Sequence, residues 1–324
     1  MHSETHFQKL VEAELFKLNP GKEPAGLYEP IRYMLNLGGK RLRPSLLLMC
    51  HELFNGNPQE VINPALGIEV FHNFTLLHDD IMDKAPLRRA QPTVHVKWNA
   101  DTAILSGDTM FVLACQLMMK VKDQHLRKVM DVFLKTSIEV CEGQQSDMDF
   151  EKAANVSIDA YLDMISKKTA VLLGCSATIG GICADAEDSD ATHLYAFGKN
   201  LGMAFQLHDD ILDVYGDTEK FGKQIGGDIL ANKKTYLLLT AFQKASGNLK
   251  NELNDLIQAT NFDPNKKIEA VIAIYDTLNI RHHATEKMEH FFGKAMDELD
   301  AINVPAKNKE TLIGLAEKLM VRER

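Results

Sequence analysis

The 324 residues carry 45% apolar and 7% aromatic side chains, enough for a large buried core and too much for a disordered chain. Thirty-six Lys and Arg against 45 Asp and Glu leave a formal charge of -9, which excludes a broad nucleic-acid-binding face; phosphate can be held only by local basic clusters or bound metal. The five cysteines (Cys50, Cys115, Cys141, Cys175, Cys183) form no CxxC pair, so neither a disulfide framework nor a zinc cage is indicated, and they read as reduced, buried thiols of a cytoplasmic protein.

At the N-terminus Phe7, Leu10, Val11, Leu15 and Leu18 recur at helical spacing, and that helix should stop near Pro20. The segment lacks the basic start and apolar block of a signal peptide. A short helix is expected over 30–37, closed by Gly38 and Gly39. Pro44 suits the first turn of the next helix, which ends at the turn over 55–58. Residues 59–83 then read as one continuous helical segment. Helical patterning returns over 101–121, 126–145, 157–184, 191–214, 235–245, 248–259, 265–278, 280–302 and 307–321. The longest apolar run, 170–184, has 15 residues interrupted by three glycines, too short to span a bilayer. No alternating Val/Ile/Thr stretch demands a sheet. The expectation is an all-α chain of about a dozen helices forming one domain over 1–324, with no linker composition inside it.

Two of these helices carry nearly the same acidic string, LHDDIMD at 77–83 and LHDDILD at 207–213. Carboxylates in apolar surroundings cost several kcal/mol unless they are paired or hold a cation. On a helix, residues i and i+4 share a face about 6 Å apart, so Asp79 and Asp83 present two carboxylates side by side, with Asp80 turned about 100° away. Asp209, Asp213 and Asp210 repeat the geometry. Facing helices in a bundle would aim four carboxylates at one space, which suits hard, oxygen-seeking Mg²⁺ completed by phosphate and water. The cations complement them. GGKRLRP at 38–44 sets Lys40, Arg41 and Arg43 beside two glycines, Arg88 and Arg89 lie in a loop over 86–92, and Lys167, Lys168 and the lysines of 223–234 add more. Together they look like two phosphate seats, one bridged by metal and one held directly by Lys and Arg.

Taken in order, these residues resemble the trans-isoprenyl diphosphate synthases, or polyprenyl synthetases. The match covers roughly 38–234: GGKRLRP, His72 ahead of DDIMD, Arg88-Arg89, Gly107-Asp108, Gly143-Gln144 with Asp147, Lys168-Thr169, Phe205-Gln206 before DDILD, Gly222-Lys223, and Asp228 with Lys233. One departure is Ala90, where the family usually has glycine. The resemblance implies a single large helical bundle of the isoprenoid synthase type with a central active-site cavity, working as a cytoplasmic homodimer. It also implies Mg²⁺, about three ions per site, and two substrates, isopentenyl diphosphate and an allylic diphosphate (dimethylallyl, geranyl or farnesyl). Residue by residue it assigns Lys40, Arg43, His72 and Arg89 to the isopentenyl diphosphate, with Arg41 a further candidate. Asp79, Asp83 and Asp209 would coordinate metal, supported by Asp80, Asp210 and Asp213. Arg88, Lys168, Thr169, Lys223 and Lys233 would hold the allylic group, and Gln206 would lie along the reacting carbons. Asp79, Asp83, Lys168, Gln206 and Asp209 are thus the expected catalytic set. Phe74 and Thr75, ahead of the first motif, would set chain length, and one aromatic in place of two points to a C15 or C20 product, with C20 the expectation. His78 and His208 flank the motifs, and Arg322 and Arg324 form a basic tail.

Two other readings share part of this pattern. A class I terpene cyclase has the all-α fold and the first aspartate motif, but does not need the second diphosphate seat of 38–43 and Arg89, and its second motif normally resembles Asn/Ser/Glu. A di-iron carboxylate bundle is suggested by the ExxH of Glu69 and His72, but needs a second ExxH that the sequence lacks.

Overall fold

The protein is described by a computed structural model covering residues 2–216 and 226–321. Its backbone gathers into two compact units. The first takes in the chain up to Leu134, Cys175–Leu194 and Ile302–Leu312; the second takes in Lys135–Gly174, Tyr195–Ala301 and the chain from Ile313 onward.

In the first unit, helix α1 (Glu4–Lys17) starts where the Ser3 side chain accepts from the His6 N–H, and it buries Phe7, Val11 and Leu15 at four-residue intervals. Helix α2 (Ala25–Asn36) begins earlier than Pro30 suggests. Its start is set by Pro24, extended at φ -72° and ψ 139°, and Pro30 is carried inside the helix. Helix α3 (Leu42–Leu53) is buried along nearly its whole length, with Pro44 in its first turn. A 3₁₀ turn, Pro58–Val61, leads into α4 (Ile62–Met82), which ends in the first acidic motif. The loop expected over 86–92 is a two-stranded hairpin, β1 (Leu87–Arg88) with β2 (Gln91–Pro92), followed by the single turn α5 (Val94–Lys97). Helix α6 (Ala100–Met118), capped by the Asn99 side chain on the Thr102 N–H, packs along α4. Close approach is possible because Gly107 lies under the His78 ring, where a Cβ would overlap the imidazole.

Helix α7 (Asp123–Lys152) opens in the first unit and closes in the second, running past the expected 145. In the second unit, α8 (Ile158–Ile165) is capped by Ser157 and passes through one π turn, Ser166–Ala170, into α9 (Val171–Cys183), whose residues from Cys175 onward, like the start of the next helix up to Leu194, belong to the first unit. Helix α10 (Asp188–Tyr215) carries the second motif near its end. The short α11 (Gly227–Leu230) is followed by α12 (Tyr236–Lys244), α13 (Gly247–Gln258), α14 (Pro264–Thr277) and α15 (Ile280–Ala301). Helix α16 (Ala306–Met320) completes the described chain. Leu207, Ile211 and Val214 of α10 join Val271, Ile274 and Tyr275 of α14 and Ile280 and Ala284 of α15 in one buried cluster. Each fully buried aliphatic of this kind contributes about 1.5–3 kcal/mol, and this core fixes the helix that presents Asp209.

The fold is all-α, its hairpin being the only sheet among the described residues. No described helix is long and apolar enough to cross a membrane. Of the cysteines, Cys50, Cys175 and Cys183 are buried as expected, whereas Cys115 is half-buried and Cys141 exposed, because both lie on outward-facing positions of amphipathic helices.

Candidate active site

Both acidic motifs sit in the last turns of their helices, Asp79 and Asp83 at the end of α4 and Asp209 and Asp213 at the end of α10. A helix C-terminus carries partial negative charge, so each location adds to the attraction of two carboxylates for a cation. Within each motif the middle aspartate behaves differently from its neighbours. Asp80 is buried and grips Arg88, whose Nε donates to Oδ1 at 3.0 Å and Oδ2 at 2.8 Å, while Nη2 lies 2.8 Å from Oδ1. Burial pushes its pKa up against the opposing pull of Arg88. Asp210 is buried too, and burial raises its pKa to about 8. Its Oδ2 accepts from the Tyr161 hydroxyl and its Oδ1 from Gln206 Nε2 at 3.1 Å. The outer aspartates remain at least partly exposed.

Around the first motif the positive groups are arranged by backbone conformation. Arg89 and Ala90 are the two central residues of the hairpin turn, with φ of 53° and 60°. Such a type I′ turn usually takes Asn-Gly, so Ala90 occupies a left-handed position where glycine would carry no steric cost. Arg89 Nη1 donates to the Gly38 carbonyl, and a Cβ on Gly39 would meet the same guanidinium. Arg88 Nη2 also lies 3.7 Å from Asp79. Arg43 Nη1 is 3.3 Å from His72 Nε2. Since a guanidinium only donates, Nε2 is the acceptor, which leaves Nδ1 to carry the ring proton. Burial, together with the charges of Arg43, Arg89, Arg88 and Arg41, holds the His72 pKa well below its ordinary value. A neutral imidazole among guanidinium groups is an anion seat in electrostatic terms.

Arg41 departs from its expected place in that seat. Its guanidinium is buried against the Glu69 carboxylate and donates from Nη2 to the Leu35 carbonyl at 2.9 Å, so it faces the core instead of a ligand. The same contact consumes Glu69 of the ExxH, and Asn73 Nδ2 donates to it at 3.0 Å. Phe74 packs against Phe71 and Phe111, with centroids 5.6 Å apart in each case, and against the His78 ring at 4.8 Å. Thr75 turns its hydroxyl back to the His72 carbonyl at 2.8 Å.

In the second unit the π turn presents Lys168 and Thr169. Gly143 of α7 lies against the Lys168 backbone, where a Cβ would overlap its nitrogen, and such turns recur at functional sites. Lys168 Nζ donates to Asp147 Oδ2 at 2.6 Å. Thr169 Oγ1 donates to Gln206 Oε1 at 3.1 Å, so Tyr161, Asp210, Gln206 and Thr169 form one hydrogen-bonded chain. The Gln206 amide is therefore engaged at both ends. Asp213 Oδ2 accepts from the Asp228 N–H at 2.9 Å, which ties α10 to α11. Lys233 lies exposed, its Nζ 3.9 Å from Asp228 Oδ1, while Lys234 donates to the Phe150 carbonyl at 2.6 Å. Lys223, Arg322 and Arg324 lie outside the described residues.

Among the described residues no three His, Cys, Asp or Glu side chains converge as a closed metal cage. The donors on offer are carboxylate pairs on helix ends. That set fits a hard divalent cation that keeps waters and takes further oxygens from a phosphate, as Mg²⁺ does. Sequence reasoning missed Glu69, Tyr161 and Phe111 as parts of the site. Only Glu69 carried a signal, and the ExxH pattern pointed it toward a different chemistry.

Comparison with known proteins adds four findings. The family model for polyprenyl synthetase matches residues 24–275. The geranylgeranyl diphosphate synthase of Methanosarcina mazei is 43% identical over 236 residues, 72% of this chain and 73% of that protein. Among solved structures, a geranylgeranyl pyrophosphate synthase superposes with a TM-score of 0.95 at 40% identity, covering 100% of both chains. The geranylgeranyl pyrophosphate synthetase of Pyrococcus horikoshii does so with 0.92 at 34% identity, covering 98% of both.

Proposed function

The chain belongs to the polyprenyl synthetase family, and from that premise we propose how its residues divide the work of a short-chain trans-prenyltransferase. The family model spans parts of both units, which supports reading residues 1–324 as one catalytic domain. The reaction joins isopentenyl diphosphate head-to-tail to an allylic diphosphate. The allylic C–O bond breaks to leave diphosphate and a carbocation, the isopentenyl double bond attacks it, and a proton is lost to the released diphosphate.

The observation that carries this reading is the guanidinium cluster around neutral His72 on α4, the helix that ends in the first carboxylate pair, with the same acidic motif repeated at the end of α10. Lys40, Arg43, Arg89 and the His72 Nδ1–H hold the isopentenyl diphosphate. Asp79, Asp83 and Asp209 would hold Mg²⁺, which when bound would neutralise the charge that develops on the leaving diphosphate. Lys168, Thr169 and Lys233 bind the allylic diphosphate, Lys223 does so from outside the described residues, and Arg88 joins them from its seat on Asp80. The buried Asp80 and Asp210 hold Arg88 and Gln206 in place and do not bind metal themselves. Gln206, locked between Thr169 and Asp210, keeps its side chain beside the reacting carbons.

Product length is set by Phe74, backed by Phe111 from α6. A bulky floor ahead of Asp79 stops the growing chain at C20, the product named for the Methanosarcina mazei relative. The enzyme acts in the cytoplasm as a homodimer, supported by its free cysteines and by an exposed apolar stripe on α6. With Mg²⁺, isopentenyl diphosphate and C5, C10 or C15 allylic primers, the products should stop at C20, and Phe74→Ala should extend them. Products ending at C15, or a Phe74→Ala enzyme with unchanged products, would sink the floor assignment.

A further inference from the structure

We infer that Arg41 is a positioning residue whose buried ion pair with Glu69 locks residues 38–43 onto α4, so that Lys40 and Arg43 are registered against His72. The inference rests on the reading of Lys40, Arg43, His72 and Arg89 as the isopentenyl diphosphate seat.

The side chain of Arg41 is 4% exposed and that of Glu69 3%, with Nη1 and Oε1 2.5 Å apart. Arg41 Nη2 reaches the Leu35 carbonyl at 2.9 Å, so one side chain ties the end of α2 to the middle of α4. Asn73 fixes the acceptor, donating to Glu69 Oε1 at 3.0 Å and to the Glu69 carbonyl at 2.8 Å. Glu69 and His72 stand three residues apart on one helix face, and Arg41 and Arg43 stand two apart in the approaching chain. Arg41 on Glu69 and Arg43 on His72 thus anchor the segment to α4, beside the contacts of Arg89 with the Gly38 carbonyl and of Gln8 with the Lys40 carbonyl at 3.2 Å.

The backbone of the segment is held in an uncommon conformation. Gly38, Gly39 and Arg41 have φ of 82°, 142° and 48°, all left-handed, and the last is a conformation that residues with a Cβ rarely adopt. Arg41 Nε and Asn73 Oδ1 are buried without hydrogen-bond partners. A buried ion pair is a poor source of stability compared with apolar packing, and register is its best-attested use. Here the register in question is that of a diphosphate seat.

The test measures KM for each substrate separately. Glu69→Gln, which keeps its shape and an acceptor for Asn73, and Arg41→Met should each raise KM for isopentenyl diphosphate about tenfold, while KM for the allylic substrate stays within about twofold. Arg41→Met/Glu69→Met, which removes both charges, should regain thermal stability yet keep the raised KM. A pair that is only structural predicts the opposite: lowered melting temperatures in the single variants with both KM values unchanged, and full recovery in the double variant. If Arg41→Met does not fold, Glu69→Gln decides. Lys40→Ala and Arg43→Ala separate the two levels of the argument. Should they leave KM for isopentenyl diphosphate unchanged, the seat is misassigned; should they raise it while Glu69→Gln does not, the positioning role alone falls.

Discussion

His72 shows how much of this site is electrostatic positioning. Its pKa is held well below the ordinary 6.5 by burial and four guanidinium groups, so the folded chain keeps it neutral. As pH falls below about 6.5, the unfolded chain takes up a proton that the folded chain refuses, and stability present above that pH is lost at up to about 1.4 kcal/mol per pH unit. Urea unfolding at about pH 7 and about pH 5.5 should show a larger loss for the wild type than for His72→Asn; equal losses would mean that His72 is not the group responsible. The outer aspartates were legible in the sequence because i and i+4 spacing on a helix is a local property. Their supporting contacts were not. Arg41 and Glu69 are 28 residues apart, and Tyr161 and Asp210 are 49 apart. A side chain chooses between a ligand and a buried partner only once the backbone has brought both within reach, so Arg41 beside Lys40 looked like one more phosphate ligand.

The long helices were readable from their periodic burial, and the site elements that escaped were the irregular ones. The β1–β2 hairpin has two-residue strands and turns on Arg89-Ala90 in place of a glycine-bearing pair, so no turn signature announced it. The π turn of Ser166–Ala170 depends on how closely α7 approaches at Gly143, a tertiary fact that no local pattern encodes. Helix α6 carries a further signal. Ile104, Leu105, Val112 and Met119 are 45%, 59%, 56% and 56% exposed, and at these spacings they form one apolar stripe. An unpartnered stripe of this kind fits a second copy of the chain. On that reading the wild type sediments as a dimer and Val112→Glu as a monomer in analytical ultracentrifugation. A monomeric wild type, or a variant that stays dimeric, would remove α6 from the interface.

At the scale of the whole molecule, all-α architecture and prenyltransfer were legible because the motifs come in a fixed order along most of the chain, from GGKRLRP to Lys233. The superpositions on geranylgeranyl pyrophosphate synthases agree with that order. The boundaries of the two compact units fall inside the uninterrupted helices α7, α9 and α10, whose sequences carry no linker signal at the crossing points. The central claim is that the carboxylates of Asp79 and of Asp209 serve metal-assisted departure of the allylic diphosphate. It is tested most directly by the turnover of Asp79→Asn and Asp209→Asn at saturating Mg²⁺ and both substrates, with isopentenyl diphosphate affinity measured alongside. Each variant should lose about a thousandfold or more in kcat while its affinity for isopentenyl diphosphate is unchanged. Retention of kcat within about tenfold of the wild type by either variant would contradict the account.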